Sequence, residues 1–224
     1  MKKSVQFLLL FLMCISASWT WASDAPERTV LFNMGDYDSQ YWRIPALVTA
    51  ADNSLVAVVD KRGSSLGDLP NTISIMSRRS TDNGKNWSEP VVVAQGGNGK
   101  TYGDPAVVLD KKTGNLICMF VGDQGLWNAT PYNRQGIYVS KSTDNGVSWS
   151  EPVAITDQVY ANHSGWYAGF AGSGHGLCLK DGRLMFVLAI RATSATGVPL
   201  HNYAIYSDDG GDNWTLSTNA ATTV

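Results

Sequence analysis

From Ile44 onward, apolar and β-branched residues come in short blocks separated by Gly, Asn and Asp. The first pair is Arg43-Ile44-Pro45-Ala46-Leu47-Val48 and Leu55-Val56-Ala57-Val58-Val59, with a polar turn at Asp52-Asn53 between them. The order returns as Asp104–Leu109, a turn at Thr113–Asn115 and Leu116–Val121. It returns again as Gly174–Leu179, a turn at Asp181-Gly182 and Leu184–Ile190. Short blocks of this kind around turn residues predict β-hairpins. A third strand follows each hairpin at Ile73–Arg78, Gly136–Lys141 and Tyr203–Tyr206. No stretch beyond residue 22 carries convincing helical periodicity.

After each third strand comes one polar octet, S-x-D-x-G-x-x-W. It occupies Ser80, Asp82, Gly84 and Trp87, then Ser142, Asp144, Gly146 and Trp149, then Ser207, Asp209, Gly211 and Trp214. Turn chemistry accounts for each position. Glycine reaches positive φ at no steric cost, and Asp and Ser side chains accept bonds from turn N–H groups that lack a ladder partner. The tryptophan folds back as an apolar plug under the turn. A closing strand follows, twice after Trp-Ser-Glu-Pro at Trp87–Pro90 and Trp149–Pro152.

Four antiparallel strands per repeat, at a nearly constant period, predict an all-β chain built of propeller blades. Closed propellers use about four to eight blades. The three repeats over residues 23–224 therefore read as the N-terminal part of a longer propeller. In that reading Thr29–Phe32 supplies a strand to the final blade.

Charge and cysteine content narrow the class. The chain has 17 Lys and Arg against 19 Asp and Glu, a formal net charge of −2. That excludes a general affinity for nucleic acid. Residues 1–22 read as a secretory signal: Lys2 and Lys3, an apolar stretch Val5–Ala17, and a cleavage site at Thr20-Trp21-Ala22. The apolar stretch is too short for a membrane span of about 20 residues. The expectation is a secreted or periplasmic protein, with the outer surface as a further destination, that has shed Cys14. Cys118 and Cys178 lie in apolar strands and are read either as buried thiols or as a disulfide pair. His163, His175 and His201 are scattered, so neither a metal nor another cofactor is expected.

Arg43-Ile44-Pro45 ahead of the repeated octets resembles the bacterial exo-α-sialidases (neuraminidases), from about Arg43 to the end of the chain. The resemblance implies a six-bladed propeller and hydrolysis of terminal α-linked sialic acids with retention of configuration. Sialic acid bears a carboxylate on its anomeric carbon, and a guanidinium pairs with a carboxylate bidentately. By resemblance Arg43 is the first of three such arginines, Arg62 of Asp60-Lys61-Arg62 is the strand-end arginine, and Asp68 is the general acid/base. Asp104 resembles the aspartate that contacts the 4-hydroxyl, and equally reads as an Asp-Pro turn. Trp127 packs on the N-acetyl group or the glycerol tail, or serves only the blade. Gly172–Gly176 resembles the family's glycine-rich entry to the third blade.

The resemblance also implies a tyrosine nucleophile polarised by a glutamate, where most glycosidases use a carboxylate. Glu27, Glu89 and Glu151 are the only glutamates, and none fits that role by position. The nucleophile and the other two carboxylate-gripping arginines are expected beyond Val224, and the 224-residue chain alone is expected to be inactive. The partner implied is a sialylated glycan or glycoconjugate. The alternative is a non-catalytic sialoglycan-binding propeller.

Overall fold

The computed structural model describes residues 28–63, 65–197, 200–220 and 222–223. The signal-like residues 1–22, with Cys14, and also Glu27 lie outside the described residues. The first sheet is β1 (Tyr41–Thr49), β2 (Leu55–Arg62), β3 (Ile73–Ser80) and β4 (Val91–Ala94), antiparallel in chain order. The second is β5 (Tyr102–Leu109), β6 (Leu116–Asp123), β7 (Gln135–Ser142) and β8 (Val153–Ala154). The third contains β9 (Ala168–Ala171), β11 (Leu177–Cys178), β12 (Leu184–Arg191), β13 (His201–Ser207), β14 (Thr215–Leu216) and β15 (Thr222–Thr223), while β10 (Gly174–His175) lies beside β5 on the edge of the second sheet. These are the three blades that the repeats predict.

The blades stack face to face, and β6 shows how. Leu116, Cys118 and Phe120 point into the cluster shared with Val56, Val58 and Ile75 of the first blade. Ile117 and Met119, on the opposite face, join Leu184, Phe186 and Leu188 of the third. A strand covered on both sides has no polar face to show, which is why β6 reads as an unbroken apolar run. β12 instead alternates, with Val187 exposed between buried Phe186 and Leu188.

Each octet folds as its residue types demand. Ser80, Ser142 and Ser207 accept the amides of Gly84, Gly146 and Gly211 through Oγ, each at 2.8 Å. Asp82, Asp144 and Asp209 accept the amides four residues on, at Asn86, Ser148 and Asn213. Trp87 and Trp214 donate to the carbonyls of their own glycines. Trp149 differs from expectation: its Nε1 reaches Ser77 Oγ of the first blade at 2.9 Å. Arg79 donates to Asn145 O, and Lys141 pairs with Asp212. The second and third turns thus fasten their blades to the preceding one.

Those bonds predict an acid-labile fold. Backbone and side-chain bonds from Asn86 and Asn213 depress the Asp82 and Asp209 carboxyls to about 2. A carboxyl depressed in the folded state stabilises the fold above its unfolded pKa, and loses that contribution as pH falls through the folded value. Melting temperature should therefore fall between about pH 4 and pH 2. Asp209→Asn should flatten that slope, and an unchanged slope would mean that other carboxyls control it.

Three expectations need correction. Thr29–Phe32 forms no strand here: Leu31 O accepts from Arg78 and Phe32 packs on Trp42, and the final blade it is expected to complete is not among the described residues. A short helix, α1 (Thr156–Tyr160), follows β8 and buries Val159 and Tyr160 between the second and third blades. It is too short to carry a periodic signal. The inner strand of the third blade is split. β10 pairs parallel with β5, while β11 and β9 share the edge of β12. Gly176 sits at the split, where a Cβ would stand 2.5 Å from the Phe186 ring. Cys118 and Cys178 are free thiols, the first fully buried.

Candidate active site

The inner strands β1 and β5 break register at matching places, between Arg43 and Ala46 and between Gly103 and Ala106. Each break contains a residue before proline at positive φ: Ile44 at 54° and Asp104 at 57°. A β-branched residue there is strained, and such strain persists only where the surroundings enforce it. The bulges align Asp104 with Ile44 and Gly103 with Arg43, one residue away from the match of Asp104 to Arg43 that sequence order suggests. Their effect is to turn Arg43 and Asp104 to the same mouth.

β2 ends at that mouth, and its last residues hold the following loop. Arg62 is only 1% exposed. Its Nε and Nη2 donate to Asp60 Oδ2 at 3.2 and 2.8 Å. Its Nη1 donates to Leu66 O, Gly67 O and Asp68 Oδ1 at 2.9, 3.1 and 2.6 Å. Arg43 Nη1 reaches the same Asp68 oxygen at 3.2 Å and Leu66 O at 3.1 Å. The Asp68 side chain is otherwise open, at 73% exposure.

The electrostatics follow from burial. Asp60 is fully buried, which pushes its carboxyl up to about 7, with Arg62 opposing and Asp104 adding to the rise. Burial also raises Asp104, against the pull of Arg62 and Arg43 and with a push from Asp68. For Arg62, burial opposes the charge, and bonds to Asp68 and Asp60 outweigh it, so its pKa is raised.

Arg43, Asp68, Asp104 and Trp127 line one cavity of 270 Å³, together with Leu126, Gln135, Phe170 and Ser173. Arg62 does not line it and stands behind the wall. Polar groups thus converge against an apolar side, the usual form of a small-molecule site. Trp127 is held from behind by Arg191, which lies over its ring at 5.6 Å and over Tyr167 at 4.6 Å. Arg191 also donates to Trp127 O at 3.3 Å and to Ala129 O. Burial lowers the Arg191 pKa.

Sequence reasoning passed over Asp60, Gln135, Phe170 and Arg191. Arg191 had a signal, because it closes β12 as Arg62 closes β2, in the eighth place of each strand. Phe170 had none, since it reaches the cavity through the split of the third blade's inner strand, whereas Ser173 lies in the glycine-rich stretch Gly172–Gly176 that the sequence singles out. Glu89 accepts from Tyr37 Oη at 2.9 Å, and neither residue lines the cavity. Among the described residues no group of three or more His, Cys, Asp or Glu side chains could hold a metal, and no helix is long and apolar enough to cross a membrane.

Comparison with known proteins gives this site a context. The family described as BNR repeat-like domain matches residues 44–223. A sialidase of Bacteroides fragilis is 34% identical over 84% of this chain and 37% of its own length. A sialidase of Paraclostridium sordellii is 28% identical over 96% of the chain and 59% of its own. Among solved structures, the Hadza microbial sialidase Hz136 superposes with a TM-score of 0.76 at 30% identity, covering 85% of this chain and 40% of that one. The leech intramolecular trans-sialidase, bound to 2,7-anhydro-Neu5Ac, gives 0.74 at 17% identity over 88% and 46%, a likeness of fold. The chain thus spans between about a third and three-fifths of the length of these relatives.

Proposed function

The chain belongs to the BNR-repeat sialidase family, and from that premise we propose that residues 23–224 are part of a propeller that removes terminal α-linked sialic acids from glycans. The observation that carries this reading is the convergence of Arg43, Asp68 and Asp104 on one cavity, with Arg62 fixed behind them.

Arg43 binds the substrate carboxylate. In the structure that position is taken by Asp68, whose Oδ1 accepts from Arg43 at 3.2 Å. An arriving carboxylate competes for the same guanidinium and releases Asp68 from one of its two cations. Asp68, in protonated form, then gives its proton to the departing glycosidic oxygen as the bond to the anomeric carbon breaks. In the second step it takes a proton from the attacking water. Asp104 accepts from a ring hydroxyl, and Trp127 with Phe170 packs against the apolar edge of the sugar. A retaining displacement also needs a nucleophile on the opposite face. The family resemblance assigns that role to a tyrosine and glutamate, and among the described residues no such pair lines the cavity. Export through residues 1–22 fits a substrate on secreted or surface glycans.

The test is release of free sialic acid from a fluorogenic α-sialoside by the full-length polypeptide. Binding without any release would favour the glycan-binding alternative. Arg43→Lys keeps the charge and loses the planar fork, so KM should rise by about tenfold or more with kcat changed less. An unaltered KM would remove Arg43 from carboxylate binding.

A further inference from the structure

We infer that Asp60, which lines no part of the cavity, is the positioning residue that locks the Asp68 loop and the Asp104 bulge into one geometry. The inference takes Asp68 and Asp104 as site residues from the reading above.

Asp60 touches both halves of the site at once. Its Oδ2 accepts from Nε and Nη2 of Arg62, and its Oδ1 accepts the backbone N–H of Asp104 at 3.1 Å. Arg62, so oriented, has Nη1 left for Leu66 O, Gly67 O and Asp68 Oδ1. A continuous line of bonds therefore runs from the β5 bulge through Asp60 and Arg62 to Asp68. The strand at Asp104 runs beside the same carboxylate: a Cβ at Gly103 would stand 3.5 Å from Asp60 Oδ2, an ordinary contact.

All the hydrogen-bond partners of Asp60 are donors, so a carboxylate suits the place and an amide does not. An asparagine offers one acceptor oxygen, and its NH2 must face either the guanidinium or the Asp104 N–H. A buried donor facing a donor is costly, and the cost is met locally by letting the loop or the bulge go. The charged and titratable neighbours of Asp60 are few. Arg43 lies opposite on β1, Arg62 follows on β2, Asp104 stands on β5 and Cys118 on β6, while the facing residue of β3 is the apolar Ile75. Burial raises the Asp60 carboxyl to about 7, with Arg62 opposing the rise and Asp104 adding to it.

The test is Asp60→Asn in the full-length polypeptide, read first by amide hydrogen exchange. Exchange over Leu66–Asn71 and at Asp104 should quicken by about tenfold or more, while the β6 amides keep their protection. With an α-sialoside, kcat should fall by about 10²-fold with KM within about threefold, since displaced catalytic groups lose rate while Arg43 still grips the carboxylate. The wild-type pH–rate profile should carry an inflection near pH 7 that the variant lacks. Arg62→Lys, which cannot span Asp60 and the loop together, should loosen the same residues and serves if Asp60→Asn does not fold. Loop exchange at the wild-type rate, or a rise spread evenly over all strands, would overturn the inference and leave Asp60 as a stability element. If the wild-type polypeptide releases no sialic acid, the functional reading fails while the exchange result still decides the role of Asp60.

Discussion

Asp68→Ala should lower kcat on a natural sialoglycan by about 10²–10⁴-fold, the usual worth of a general acid/base. The loss should depend on the leaving group. An aryl sialoside departs as a phenoxide that needs little protonation, so its first step suffers far less than that of a sugar alcohol. A synthetic aryl substrate and a sialyl-oligosaccharide, assayed side by side, should therefore diverge in the variant by at least about tenfold. Folding should be almost untouched. Asp68 is largely exposed, and Arg62 keeps its bonds to Asp60 and to the carbonyls of Leu66 and Gly67. A melting temperature close to wild type would show that the lost rate is chemical. Equal losses on both substrates would make Asp68 a binding or structural group. Full activity would remove it from the mechanism altogether.

The parts of this molecule that depend on local chemistry are open to reading in the chain, and the parts that depend on where strands meet are not. The octet turns are local: Ser80, Asp82 and Gly84 satisfy one another within five residues, so their types alone announce the hairpin. The blade count follows from them, and β6 betrays its double burial by its unbroken apolar run. Asp68 became legible only beside Arg43 and Arg62, because a loop aspartate has no local signature. Asp60 looked like one member of a charged triplet at a strand end. Its part depends on the Asp104 N–H, which β5 delivers from 44 residues further along the chain. Phe170 was hidden for a similar reason. The third blade gives up its continuous inner strand, and β9 takes the part of the β12 edge nearest the cavity.

The contacts between blades supply the largest expected effect on stability, at Gly146. The glycines of the three octets share one conformation, with φ of 86° at Gly84, 84° at Gly146 and 84° at Gly211. An alanine at any of them should lose about 1–2 kcal/mol to left-handed strain alone. Their surroundings differ. A Cβ at Gly84 would meet Leu55 at 3.7 Å, an ordinary contact, and one at Gly211 would meet Ile117 at 3.3 Å. A Cβ at Gly146 would lie 2.7 Å from Val56 Cγ2 and 3.0 Å from Cγ1. Val56 is fully buried in the cluster between the first two blades and has nowhere to go. Overpacking of that kind adds about 1–3 kcal/mol, so Gly146→Ala should cost about 2–5 kcal/mol in all. Denaturant melts should rank the losses as Gly84→Ala smallest, Gly211→Ala intermediate and Gly146→Ala largest. Pairing Gly146→Ala with Val56→Ala should recover part of the loss, since the second change removes the methyls that collide. Equal losses at all three glycines, or strict additivity in the pair, would mean that the octet turns shape their own hairpins without bracing the blade before them.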